Sequence, residues 1–218
     1  KNEAEVLITC DVGIRAHESL ALARELGMRT IVTDHHETAE ELPEADAVVN
    51  PRRDDSQYPF DSLSGAGVAF KLCYGLAHSE LAARAGITPE NYLRKFSPFA
   101  AIGTVADVMP LIDENRVITA LGLDAMRDTK LECIRLLRDA AVQNGAKEPY
   151  PLTSRTIGFG MGPRINAVGR LNESEKALDF MLAKDGVKVA KLMAELEGFN
   201  QERKALQEHL CNMIFEEI

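Results

Sequence analysis

The sequence predicts an α/β fold in which a parallel β-sheet is flanked by helices. Three short apolar runs, residues 5–12, 30–33 and 47–49, lie within the first fifty positions. A helical pattern at residues 17–26 separates the first two runs. Because parallel neighbours need a crossover between them, strand, helix and strand in this order favour a parallel sheet. An amphipathic segment at residues 187–218 adds a long C-terminal helix.

Helical patterns fill most of the remaining chain, with Gly or Pro between several of them. They predict helices over residues 65–78, 81–86, 91–105, 115–127, 131–141 and 174–182. Residues 143–151 are polar and contain one Gly and two Pro, so this segment is predicted to be a loop. Residues 158–170 are rich in glycine and are predicted to carry a second, Gly-bounded loop.

Composition and charge exclude several classes of protein. The 218 residues contain 45% hydrophobic residues, 15 Gly and 9 Pro, which excludes collagen-like, mucin-like and disordered chains. A net charge of −9 excludes a basic nucleic-acid coat but is compatible with a local basic cleft. No apolar run approaches the roughly 18–20 residues of a membrane span, so we expect no membrane partner and a cytoplasmic location. The four cysteines share no C-x-x-C spacing and are predicted to be free or buried thiols.

Polar residues follow the first two predicted strands. Asp34, His35 and His36 come directly after one strand, and Asp11 follows the other. Ligands of parallel sheets bind at the carboxyl ends of strands, which favours a functional site over a solvated turn or a helix cap. Asp107 lies in an apolar stretch, where an unpaired carboxylate would be costly. Two carboxylates and a histidine favour Mn²⁺ or Mg²⁺ over a structural Zn²⁺.

Two further segments have the chemistry to hold phosphate. Arg164, Asn166 and Arg170 lie on the Gly-bounded segment, and a guanidinium group matches phosphate bidentately. Ser64 and Gly65 open a predicted helix, whose free N–H groups can bind an anion. Both segments also fit a structural role, as a turn with surface arginines and as an ordinary N-cap.

Five segments together resemble the DHH phosphoesterase superfamily. They are LITCDVGI, TDHHE, LSGAGVAFKL, GTVADVMPL and GPRINAVGR. Within the superfamily they look like the RecJ family of single-strand-specific 5′→3′ DNA exonucleases, and the resemblance extends from Val6 to about Arg203. It implies a DHH-type fold, single-stranded DNA as substrate, and a role in recombination and repair. It also implies single-strand-binding protein and a recombination helicase as partners.

The resemblance assigns a role to each residue at the strand ends. Asp11 matches the carboxylate that bridges two Mn²⁺ or Mg²⁺ ions, and His35 and Asp107 match ligands of one of them. His36 matches the histidine that approaches the scissile phosphate, and Asp34 matches the residue that orients the site. The segment with Arg164 is expected to contact the DNA backbone or its 5′ end.

One departure from the family concerns the metal ligands. RecJ-like proteins carry a D-x-D-x-D motif on an upstream strand, and this chain contains no such motif. We therefore expect a fragment that is weakly active or inactive alone. Residues 1–182 would form a DHH domain without that strand, and residues 183–218 a connector helix towards a DHH-associated domain. The alternatives are another DHH phosphodiesterase, of the oligoribonuclease or cyclic-dinucleotide type, or a non-catalytic RecJ-related replication scaffold.

Overall fold

The computed structural model describes residues 4–142, 151–170 and 173–216. The chain divides into two compact units, residues 1–125 and 126–218, and each is described by itself. All but the last residue of the loop predicted at 143–151 lie outside the described residues, as do the last two residues of the predicted terminal helix.

The first unit begins with a parallel three-stranded sheet, which confirms the predicted fold class. Its strands are β1 (Val6–Ile8), β2 (Arg29–Thr33) and β3 (Ala47–Val49), in the spatial order β1-β2-β3. The crossover helix α1 (His17–Glu25) buries Leu20 and Ala23. β1 is shorter than predicted because the chain turns after it, with φ angles of 63° at Asp11 and 120° at Gly13.

Helices make up the rest of the first unit. They are α2 (Gly65–Leu76), α3 (Glu80–Arg84), α4 (Pro89–Ala106) and α5 (Asp113–Arg127), the last reaching the unit boundary. α4 begins earlier than predicted because Thr88 caps it and Pro89 occupies its first turn. α2 and α4 cross closely at Gly103, where an added Cβ would lie 2.4 Å from the Cβ of Ala66. The core beside them includes Phe70 and Tyr92.

The described part of the second unit is helical. Its elements are α6 (Glu132–Val142), a π-helical turn (Thr156–Met161), α7 (Gly162–Arg170), α8 (Ser174–Leu182) and α9 (Gly186–Glu216). The loop predicted at 158–170 is therefore wrong. Buried Ile157, Met161 and Val168 pack this segment into the core, and burial outweighs the weak helix propensity of glycine. α9 is about 46 Å long for its 31 residues.

Two further features concern the cysteines and the apolar character of the helices. All four cysteines are free thiols, three of them exposed and Cys133 buried. None of the helices among the described residues combines the length and the apolar composition that crossing a bilayer requires.

Candidate metal centre

Strand pairing brings the predicted residues of the first unit together. The Asp11 N–H donates to the Thr33 carbonyl oxygen at 3.0 Å, and the Asp34 N–H donates to the Val49 carbonyl oxygen at 3.0 Å. Each strand end is therefore fixed against its neighbour. As a result, Asp11, His35 and His36 each place one potential ligand atom within 4.8 Å of the others.

The buried ring of His35 lies between two carboxylates. Its Nε2 atom is 3.1 Å from Asp11 Oδ1 and 3.5 Å from Asp107 Oδ2. Its Nδ1 atom is buried and has no hydrogen-bond partner, so all the polar contacts of this side chain are on the Nε2 side. One imidazole nitrogen and two carboxylate oxygens at these distances form a donor set suited to Mn²⁺ or Mg²⁺.

Asp11 is held in an unusual position by its surroundings. Its left-handed backbone turns the carboxylate over the start of α2, where an added Cβ on Gly65 would lie 2.1 Å from Asp11 Oδ1. Partial burial raises the pKa of Asp11 and the nearby Asp107 raises it further, while His35 acts in the opposite direction. Two carboxylates held this close are an arrangement that a bound cation stabilises.

Asp34 is 1% exposed and organises the backbone around it. Its carboxylate accepts hydrogen bonds from the N–H groups of Ile14 at 2.9 Å, His35 at 2.8 Å and His36 at 3.3 Å. Its Oδ1 atom also lies 2.7 Å from His36 Nδ1. Burial alone would raise the pKa of Asp34, but these hydrogen bonds outweigh it and hold the pKa below its usual range. An ionised carboxylate only accepts, so His36 Nδ1 carries the proton and Nε2 is its free ring nitrogen.

Asn50 is a site residue that the sequence analysis missed. It is 4% exposed, its Nδ2 donates to the His36 carbonyl oxygen at 2.9 Å, and its Oδ1 accepts from the Arg52 N–H at 2.8 Å. The available signal was positional, because Asn50 follows β3 as Asp34 follows β2.

Asp107 stands at the C-terminus of α4 in a strained turn. The N–H groups of Val108 and Met109 donate to the carbonyl oxygens of Val105 and Thr104, both at 3.1 Å. This is a Schellman motif, in which the residue after the cap is usually glycine. Here that residue is Val108, with φ at 57° and a side chain that is 87% exposed. The close approach of α4 to α2 at Gly103, one turn earlier, places this end of the helix.

Ser64 takes the structural alternative that the sequence left open. Its hydroxyl accepts from the Gly67 N–H at 3.0 Å as the N-cap of α2, and it lies 3.1 Å from Thr104 Oγ1. The side chain is 1% exposed and committed to these contacts. The Ser64 hydroxyl is therefore a helix cap, and the adjacent Gly65 packs closely against Asp11. The predicted anion contact of the N–H groups at the start of α2 stays a prediction.

The predicted phosphate-binding arginine belongs to the second unit and is also committed internally. Arg164 is 4% exposed, with Nε 2.6 Å from Glu197 Oε2 and Nη1 donating to the Gly160 carbonyl oxygen at 2.7 Å. This buried ion pair joins α7 to α9. Asn166 is exposed on α7. Arg170 ends that helix, and its side chain lies outside the described residues.

Comparison with known proteins places this geometry in a family. Residues 2–104 match the DHH family, N-terminal domain. The chain is 38% identical over 201 residues to the single-stranded-DNA-specific exonuclease RecJ of Bacillus subtilis, covering 92% of the chain and 24% of that protein. The RecJ of Escherichia coli is 36% identical over 94% of the chain and 36% of its own length.

Solved structures agree with these relatives. A crystal structure of exonuclease RecJ bound to manganese matches with a TM-score of 0.82 and 32% identity, over 98% of this chain and 51% of that one. RecJ of Thermus thermophilus in complex with Mn²⁺ matches with a TM-score of 0.79 and 34% identity, over 96% and 30%. The chain thus spans 24% and 36% of the length of the two curated RecJ relatives named above. Residues 2–104, which carry Asp11, His35 and His36, thus belong to the DHH family.

Proposed function

We propose that this chain carries part of the metal-ligand set of a phosphodiesterase that hydrolyses single-stranded DNA in the 5′→3′ direction. The observation that carries the proposal is the cluster of Asp11, His35 and His36 at the strand ends, with ligand atoms within 4.8 Å of one another. The names of the relatives support a single-stranded DNA substrate, and the solved relatives hold Mn²⁺ or Mg²⁺. The direction of hydrolysis follows from the resemblance to the RecJ family.

The donor set fits a divalent cation, with Asp11, His35 and Asp107 as its ligands. When bound, such ions would activate a water molecule and neutralise charge on the attacked phosphate. Burial holds the His35 ring in place with Nε2 towards both carboxylates. The family resemblance implies that Asp11 would be the ligand shared by two ions, and its carboxylate is half exposed.

Asp34 and His36 act together on the substrate in this proposal. The 2.7 Å contact to Asp34 fixes the His36 ring through Nδ1. Nε2 is then the ring nitrogen left to donate a hydrogen bond to a non-bridging oxygen of the scissile phosphate when protonated. Asp34 is a positioning residue, since its oxygens are already used by backbone N–H groups and His36.

We infer a domain organisation and a setting from the same comparison. In this proposal residues 1–182 form the DHH domain and residues 183–218 a connector helix. In addition to Gly65, Asn166 and Arg170 remain candidates for a phosphate contact. A single-strand exonuclease needs a supply of single-stranded DNA. With the family resemblance, this leads us to infer a helicase and a single-strand-binding protein as partners. The setting we infer is cytoplasmic DNA recombination and repair. The intact Asp11, His35 and Asp107 count against a non-catalytic scaffold.

Calorimetric titration with Mn²⁺ tests the metal centre directly. We expect the chain to bind Mn²⁺, and His35→Ala or Asp107→Ala to abolish that binding. His78→Ala is the matched control, because His78 is an exposed histidine of the same unit outside the cluster. A chain that binds no Mn²⁺, or variants that bind it as the parent does, would contradict the proposal. Oligodeoxynucleotides labelled at either end then report the direction of any hydrolysis, and shortening from the 3′ end would contradict it.

A further inference from the structure

A cavity of 470 Å³ lies beside the metal centre in the first unit. Its apolar walls come from β3 and α2, through Val48, Val68 and Leu72 among others. Tyr58, Arg53 and Lys71 belong to its polar side. None of Asp11, His35, His36 and Asp107 lines it. A volume of this size is typical of a small-ligand site.

Tyr58 is an aromatic wall held in a fixed position. It lies in an irregular segment and is 37% exposed, yet its hydroxyl donates to Glu114 Oε2 at 2.5 Å. Lys71 Nζ donates to the other oxygen of Glu114 at 3.0 Å and lies 5.8 Å from the centre of the Tyr58 ring. One carboxylate therefore fixes both the ring and the cation, so little side-chain freedom is left to lose on binding.

The charges around the cavity are paired rather than free. Arg53 donates to Asp55 through Nε at 2.8 Å and Nη2 at 2.5 Å, and Lys71 is paired with Glu114. A free phosphate would have to displace these carboxylates. The cavity instead suits an uncharged, planar group with apolar faces and hydrogen-bonding edges. A purely aliphatic side chain has no such edges.

We propose that this cavity is a subsite for one unstacked base of single-stranded nucleic acid, stacked on Tyr58. The proposal rests on the proposed function, which supplies the strand. The link to the metal centre is Asn50, which lines the cavity and also donates to the His36 carbonyl oxygen. A base bound here would hold the strand near His36, the histidine proposed to contact the phosphate, because Asn50 touches both the cavity and the His36 backbone. Stacking on an aromatic ring accepts any base, as an exonuclease without sequence preference requires.

Photo-crosslinking with an oligodeoxythymidylate that contains 5-iododeoxyuridine tests the subsite. The experiment uses the whole chain in chelator, so that no strand is cleaved, and maps the adduct by mass spectrometry. We expect the adduct on Tyr58, and about 5- to 150-fold weaker oligonucleotide binding in Tyr58→Ala. Ser56→Leu places an aliphatic side chain at the cavity and removes the Oγ that accepts from the Tyr58 N–H, and it is expected to weaken binding. Tyr58→Phe keeps the ring and should retain binding.

Phe96→Ala is the matched control. Phe96 is also 37% exposed and has a lysine over its ring, with Lys95 Nζ 5.3 Å from the centre, but it does not line the cavity. Three results would overturn the subsite: adducts only outside the cavity, equal losses of oligonucleotide affinity in Tyr58→Ala and Phe96→Ala, or no oligonucleotide binding at all. An apolar peptide segment would then be the better occupant of the cavity. His35→Ala separates the two proposals. It should abolish Mn²⁺ binding in calorimetry, and it should leave the Tyr58 adduct unchanged in the crosslinking experiment, which is done in chelator.

Discussion

Replacing Gly65 with alanine tests whether Asp11 is a metal ligand without touching Asp11 itself. The added Cβ would lie 2.1 Å from Asp11 Oδ1 and 2.5 Å from its Cβ, closer than any real contact. The clash with the Asp11 Cβ cannot be relieved by turning the side chain, so the backbone of Asp11 or the start of α2 has to shift, and the carboxylate moves relative to His35. Overpacking of this kind typically costs about 1–3 kcal/mol, and we expect a loss of unfolding free energy in that range.

The metal affinity is expected to fall together with the stability. Displacing Asp11, a proposed ligand, moves one donor out of the set, and lost support of a ligand typically costs about 10–100-fold in affinity. Mn²⁺ calorimetry on Gly65→Ala measures this change, with thermal unfolding as the check on folding. Gly75→Ala is the control in the same helix, because no atom lies within 4 Å of its added Cβ. If Gly65→Ala bound Mn²⁺ as tightly as Gly75→Ala, the assignment of Asp11 would be refuted.

Three other substitutions test the surrounding structure by denaturant unfolding. Asn50→Ala leaves the part-buried His36 carbonyl without its donor and should cost about 1 kcal/mol; an unchanged midpoint would contradict its positioning role. Arg164→Ala leaves Glu197 unpaired and should cost the second unit about 2–3 kcal/mol, less than a fully buried pair because Glu197 is 31% exposed; recovery in a double variant with Glu197→Gln is the check. Val108→Gly removes left-handed strain and should add up to about 1 kcal/mol, whereas a loss would show that Val108 packs on something.

The strands and most helices could be predicted because their signals are local. Apolar runs and turn residues placed β2, β3 and α8 to within a residue of their observed bounds. The segment at 158–170 could not be predicted, because its glycines indicate a loop locally while burial of Ile157 and Met161 makes it helical. Packing of this kind depends on residues far away in sequence, such as Ala141, whose Cβ would lie 2.6 Å from an added Cβ on Gly160.

The candidate site shows the same division between local and distant causes. The sequence could predict Asp11, Asp34, His35 and His36, because polar residues after apolar strands meet at one edge of a parallel sheet. Which polar residues stay free was not predictable. The Ser64 hydroxyl and the Arg164 guanidinium have the chemistry for phosphate, but their partners Thr104 and Glu197 lie 40 and 33 residues away in the chain. Only the fold shows that both side chains are already occupied.

For an acidic chain, the proposed binding of a polyanion has to rely on a few favourable contacts that offset the overall charge repulsion. The net charge is −9, the strand ends add Asp11 and Asp34, and the cations of the Tyr58 cavity are paired with Asp55 and Glu114. In the proposed complex, ion pairs between basic side chains and DNA phosphates would therefore contribute little in this part of the structure. Divalent ions at the metal centre and base stacking would remain as the favourable terms, and neither depends on the nucleotide sequence. The same carboxylates that would repel a phosphate become favourable once they hold cations, so we expect bound cations to strengthen substrate binding beyond what base stacking supplies without them.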